Sequence, residues 1–174
     1  MTYQTQRKYV FTGDWKDQGN RVLKRIYRLE DGLIGGWIES EKNLSHEGDC
    51  FVYDEAVVYG DAHLQDNAKA SGHTRITGSA MLQDHAHVTG RTWITGRAMI
   101  RDRAVVKDRA WVGDEGCVCD DACIEDDAGV SDHAIVGRCA VIGGKVWVRG
   151  TSRVYSSRPL KKNERLTNTI MLDK

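Results

Sequence analysis

From Gly48 to Tyr155 hydrophobic and polar positions recur on a six-residue period, through eighteen units without an insertion. The first slot of each unit is Gly or Asp, Arg138 excepted; the third is mostly Ala; the fifth is Val, Ile or Leu in every unit but the one with Ala70. Val52, Val58, Leu64, Ile76, Leu82, Val88, Ile94 and Ile100 carry the rhythm. A period held this strictly marks a repeat architecture.

The third and fifth slots are two residues apart, so on an extended segment both point to one side and the fourth points to the other. Each unit therefore reads as a short strand. Gly or Asp then follows the aliphatic slot after one residue, where the chain must bend: Gly tolerates the bend and Asp braces it. One such strand cannot bury its apolar face alone, whereas stacked coils build a continuous core with parallel strands roughly 4.8 Å apart. Three units per coil give a triangular prism with an 18-residue turn, about six coils and a rod on the order of 29 Å long. The expected fold is an all-β parallel β-helix. The spacing of aliphatic and small residues resembles the hexapeptide repeat of left-handed parallel β-helices, the fold of many acyltransferases. That resemblance implies the left hand, which the usual right-handed crossover of parallel sheets would not.

Residues 1–47 lie outside the repeat and read as a β cap. Tyr9–Phe11 and Val22–Tyr27 are strand-like, with a turn at Asp17–Asn20, which predicts a hairpin. Such a cap would cover unpaired strand edges and limit end-to-end aggregation. Residues 156–174 hold the only proline, Pro159, a charged run from Lys161 to Arg165, and Ile170-Met171-Leu172. This tail reads as a lid on the other end or as a partner-binding arm. The junction Leu33-Ile34-Gly35-Gly36-Trp37-Ile38-Glu39-Ser40-Glu41-Lys42-Asn43-Leu44-Ser45, followed by Gly48-Asp49-Cys50-Phe51-Val52-Tyr53-Asp54, resembles the YdcK-like group of bacterial and prophage hexapeptide-repeat proteins. Members of that group are often labelled acyltransferases on fold alone, so no catalytic residue transfers with the resemblance.

Composition narrows the field. The 174 residues carry equal numbers of acidic and basic side chains, which implies neither nucleic acid nor membrane as a partner. No apolar stretch approaches the length of a membrane span and no signal-peptide pattern opens the chain, so a cytoplasmic location is expected. Of the five Cys, Cys50 takes a small core slot, while Cys117, Cys119, Cys123 and Cys139 take outward or corner slots, and no CxxC pair occurs. Free thiols are expected, and no metal site.

An enzyme of the hexapeptide class would need an imidazole general base beside a groove between subunits for coenzyme A, commonly with a loop breaking out of the coil. The repeat has no such excursion. Of six His, His87 and His85 are the candidates, because they are adjacent and lie in the middle coils; a corner His is more simply a solvated polar residue. The four corner carboxylates Asp66, Asp84, Asp102 and Asp120 recur every 18 residues and are read as braced by backbone donors, since no calcium-loop signature accompanies them.

Residues 18 apart should stack, which sorts the outward slots into three faces. One carries Val57, Arg75, Trp93, Trp111, Gly129 and Trp147; the next His63, Met81, Met99, Cys117, Ile135 and Arg153; the third Phe51, Lys69, His87, Val105, Cys123 and Val141. These slots are unusually apolar, and contiguous Trp, Met and Ile on a surface mark a protein interface unless the cap or tail covers them. Charge is sorted along the axis too: Arg91, Arg97, Arg103 and Arg109 lead a basic belt, followed by an acidic one with Asp120, Asp121, Asp126 and Asp127. Such belts can steer a partner or set the register of self-association. The expected function is a non-catalytic scaffold or binding protein, a homo-oligomer (dimer or trimer) or the partner of a different protein, needing no cofactor. The resemblance implies a phage or prophage origin, and an inhibitor of a host system is one form the binding role would take. The alternative is an acyltransferase using a coenzyme A thioester, with a His base at a subunit interface.

Overall fold

The computed structural model describes residues 7–161 and 163–172; residues 1–6 of the expected cap and 173–174 of the tail lie outside it. The repeat forms a triangular β-solenoid. Each unit contributes a strand of two or three residues, and strands 18 residues apart pair in parallel, as Trp93 does with Arg75 on one side and Trp111 on the other. Three sheets result, one per face of the prism. The described residues include one short 3-10 turn, Glu41–Asn43, and no α-helix; none of them forms a helix long and apolar enough to cross a membrane.

The core is the stack of third and fifth slots. Ala86, Val88, Ile94, Ala98 and Ile100 are fully buried, as are their counterparts in the other coils. Where Thr replaces Ala, its hydroxyl is satisfied inside: Thr92 donates to Thr74 Oγ1 at 3.1 Å, and Thr74 donates to the Ser71 carbonyl at 2.7 Å. At the corners every first slot of the repeat has a positive φ, from Gly48 at 65° to Arg138 at 54°. Glycine adopts that region freely and Asp more readily than most residues, which explains the alternation of the two types. Each corner Asp also does a second job. The Asp84 N–H donates to the Asp66 carboxylate at 3.2 Å, Asp102 N–H to Asp84 at 3.1 Å, Asp120 N–H to Asp102 at 3.0 Å and Arg138 N–H to Asp120 at 2.7 Å. The stacked carboxylates are thus tied to the backbone of the next coil, and the repulsion between them is offset by these donors.

The stack runs past both edges of the repeat. The sheet through Trp93 has ten strands, the two of the hairpin and eight stacked in parallel, where the hexapeptide units alone supply six. At the N-terminal end Tyr9–Gln18 and Arg21–Arg28 form the expected antiparallel hairpin, and Ile34–Ile38 joins it to the solenoid by pairing antiparallel to one and parallel to Val57–Val58. Ile38 stacks on Val58 and Leu44 on Leu64, a 20-residue spacing that breaks the strict period. Gly35 and Gly36 sit at the seam; a Cβ on Gly35 would lie 2.7 Å from Ile26 and Phe51, and one on Gly36 2.6 Å from the Ala56 carbonyl. At the other end the tail forms a further coil. Leu160 bridges to Ile142, Arg165–Thr167 pairs with Trp147–Arg149, and Ile170–Leu172 pairs with Arg153–Tyr155. The described tail strands extend two of the sheets, and Leu160, Leu166 and Met171 pack against the core.

Candidate binding face

The outward slots of the sheet through Trp93 change character along the rod. Val57 is buried with Trp37 and Leu23 beneath the hairpin, where Lys16 lies 4.3 Å from the Trp37 ring centre. Cover by the cap therefore accounts for the first coil alone. Beyond it Arg75 is exposed and Trp93 is 48% exposed, the guanidinium 5.9 Å from the ring. Trp111 and Trp147 are half-buried and their rings approach to 5.4 Å across Gly129. The bare Gly129 makes this possible, since a Cβ there would meet the Trp147 ring at 2.5 Å, and one on Gly113 would strike the Trp111 ring. Arg149 lies 4.4 Å from the Trp147 ring centre, and both indoles line a shallow cavity of about 230 Å³ with Asp114, Ser131, Asp132 and Arg149. Two flat apolar rings, edged by guanidinium groups, thus sit on a rigid sheet.

The adjoining face adds to this surface: Met99 is 38% exposed, and Met81, Cys117 and Ile135 are half-buried. Trp, Met and Arg are the side chains that interface cores favour, because they bury large areas and, for Arg, stack as well as pair.

The candidate catalytic groups are arranged differently. His87 is exposed on the third face, its Nε2 3.5 Å from Ser71 Oγ; partial burial and the neighbouring Lys69 hold its pKa below the usual imidazole value, so the ring is neutral at pH 7. His85 stands at a corner with its Nε2 3.3 Å from Asn67 Nδ2. Neither contact brings a carboxylate to orient the ring or balance a proton, as a general base usually has.

The charged belts meet each other. Arg97 pairs with Glu115 at 3.1 Å, Arg103 with Asp121 at 2.7 Å and Arg109 with Asp127 at 2.6 Å, each across 18 residues, one pair per corner. Lys107 and Lys161 both reach Glu125 at 2.8 Å, and these two contacts hold its carboxyl below the usual range. Asp120 and Asp126 accept backbone N–H groups of the next coil, and Arg91 borders a groove with Arg109, Asp126 and Asp127. The three arginine pairs are solvent-screened and add little stability, whereas Glu125 is itself buried. Their consequence is electrostatic: much of the belts' charge is neutralised within the chain, which weakens the steering role read from the sequence.

Sequence reasoning missed the rims of the Trp surface, Arg149 beside Trp147 and the Gly113 and Gly129 clearances. The glycines were legible in principle, because Gly129 interrupts a column otherwise filled by large residues.

No family model matches the chain. A stretch of 74 residues is 32% identical to a protein of Escherichia coli K12 named "Uncharacterized acetyltransferase YdcK"; it covers 38% of this chain and 22% of that protein. The chain therefore matches less than a quarter of that relative's length. The similarity and the 18-residue solenoid together fit a hexapeptide-repeat protein of acyltransferase-like architecture.

Proposed function

We propose that this chain is a non-catalytic binding scaffold that assembles with copies of itself, as a dimer or trimer, through the face bearing Trp93, Trp111 and Trp147. The observation that carries this reading is the run of indoles on outward slots, beside exposed Met99 and edged by Arg75 and Arg149. Holding Trp93 nearly half in water exposes apolar area that association would bury at roughly 25 cal/mol per Å². The prism offers flat sheets, so two or three rods can lie side by side with little loss of conformational freedom.

A second reading is favoured by the similarity to a protein named as an acetyltransferase: transfer from a coenzyme A thioester, with the neutral His87 imidazole as base. The two readings part in a thermal-shift titration with a panel of acyl-coenzyme A donors, since a ligand of the native state raises its melting temperature by mass action. The scaffold reading predicts an unchanged melt with every donor, and His87→Ala melting with the wild type. A donor-dependent rise that His87→Ala diminishes would replace it with the acyltransferase reading.

A further inference from the structure

The face that bears the indoles is uneven along the rod in a way that fits its own reverse. In successive coils its outward slots run Arg75, Trp93, Trp111, Gly129 and Trp147, with neighbours roughly 4.8 Å apart. Trp93, one coil before the middle of this run, stands 48% exposed. Gly129, one coil after the middle, presents no side chain. The shallow cavity of about 230 Å³ opens at that level, between the two half-buried indoles and the corner residues Asp114, Ser131 and Asp132. Knob and cavity therefore lie at equal distances on either side of Trp111.

A two-fold axis level with Trp111 and perpendicular to the rod lays a second copy antiparallel on this face. It exchanges the level of Trp93 with that of Gly129, and the level of Arg75 with that of Trp147. Each exposed indole then enters the other copy's cavity, where the Asp114 and Asp132 carboxylates and the Ser131 hydroxyl can accept its N–H, the partner a buried tryptophan needs. Arg75, which lies 5.9 Å from the Trp93 ring of its own chain, meets the Trp147 ring of the other copy. On one edge Arg91, which forms no ion pair among the described residues, comes level with Asp127 of the other copy. On the other edge the two Glu115 carboxylates approach each other, each already bonded by Arg97 and His133 of its own chain at 3.1 Å. A parallel pair brings equal levels together instead: Arg75 faces Arg75, Arg91 faces Arg97, and the space at Gly129 stays unfilled. A side-by-side trimer also aligns equal levels, so knob and cavity stay at different heights.

We propose that the occupant of the cavity beside Gly129 is Trp93 of a second copy of this chain, in a dimer whose two rods run antiparallel about an axis level with Trp111. This rests on the self-assembly proposed above for the same face. It goes beyond that reading by fixing the number of chains, their relative direction and their register.

The test is cross-linking of mixed full-length variants with a short bismaleimide, alongside the mass of the wild-type particle. Exposed corner residues flank the face, His73 and Lys145 on one edge and Ser79 and Thr151 on the other. The antiparallel register brings His73 level with Lys145 of the other copy and Ser79 level with Thr151, whereas a parallel pair sets His73 against Ser79. A mixture of His73→Cys with Lys145→Cys, and one of Ser79→Cys with Thr151→Cys, should each give a cross-linked pair well above the wild-type background. His73→Cys mixed with Ser79→Cys should not. The exposed native Cys139 stands on the third corner, away from this face. The two independent pairs keep the test available if one variant loses its cooperative melt. Arg75→Ala should weaken the dimer by about threefold, because it removes the contact with the Trp147 ring; parallel pairing predicts a tighter dimer, since an Arg–Arg repulsion is removed. A three-chain particle, a cross-link between His73→Cys and Ser79→Cys, or a dimer with neither expected cross-link overturns the register and leaves self-assembly through the face standing. A monomeric wild type overturns both.

Discussion

Ile94→Asp is expected to abolish cooperative folding. Ile94 is fully buried in the middle of the rod and stacks between Ile76 and Val112, with Ala and aliphatic side chains above, below and across the prism. The interior does accept polar groups, but on a condition shown by Thr92, whose hydroxyl finds Thr74. The Thr92 and Thr74 hydroxyls already donate, to Thr74 and to the Ser71 carbonyl, so a carboxylate at position 94 could be served only by breaking those bonds. It would be charged without a partner or protonated at a cost, and the isoleucine burial would be lost as well. Together these effects amount to about 4 kcal/mol or more, a large share of the roughly 5–15 kcal/mol that holds a domain folded. The position aggravates the effect, because coils contact only their neighbours and a defect in the middle separates the rod into two short pieces. Circular dichroism melting of the variant should show no cooperative transition, or expression should give insoluble protein. A soluble variant that melts cooperatively near the wild type would refute the inward register of the fifth slot.

Removal of the chain after Tyr155 is expected to cost less but to change behaviour more visibly. Leu160, Leu166 and Met171 pack on the end of the core, and their strands occupy the edges of two sheets. Without them the Ile142, Val148 and Val154 layer meets water and the Trp147–Arg149 and Arg153–Tyr155 strands become open edges. Burial of one such side chain is worth about 1.5–3 kcal/mol, partly offset by the entropy of ordering the tail. A net loss of about 2 kcal/mol corresponds to a fall in melting temperature on the order of 5 °C for a chain of this size. Open parallel edges should also make the truncated protein aggregate as concentration rises. A truncated chain that keeps its melting temperature and stays monodisperse would show that the tail coil does not stabilise the rod.

The repeat was legible residue by residue because each slot obeys a local rule: an aliphatic or Ala side chain where the strand faces inward, Gly or Asp where φ is positive. Even the exception, Arg138, adopts the corner conformation of its neighbours. Legibility stops where the spacing changes. Ile38 and Leu44 stack on residues 20 positions later, so an 18-residue template reads them as part of a separate cap. The tail holds its own signal, since Leu160 and Leu166 follow Ile142 and Val148 by 18 and Asn168 takes the positive-φ corner after Gly150. Charged neighbours and the single proline hide it. The apolar faces could be sorted from the period, but the pairing of Arg97, Arg103 and Arg109 with their acidic partners depends on which way long side chains turn.

The most direct test of the binding face is the mass of the particle in solution. Light scattering on chromatographed wild-type protein should give two or three times the 19.5 kDa of one chain. Trp93→Glu combined with Trp111→Glu should reduce it to one, because charged carboxylates in place of the indoles oppose burial. Both side chains lie outside the solenoid core, so the double variant should retain a cooperative melt. A wild type that is monomeric at tens of micromolar, or a folded double variant with the wild-type mass, would contradict self-assembly through this face.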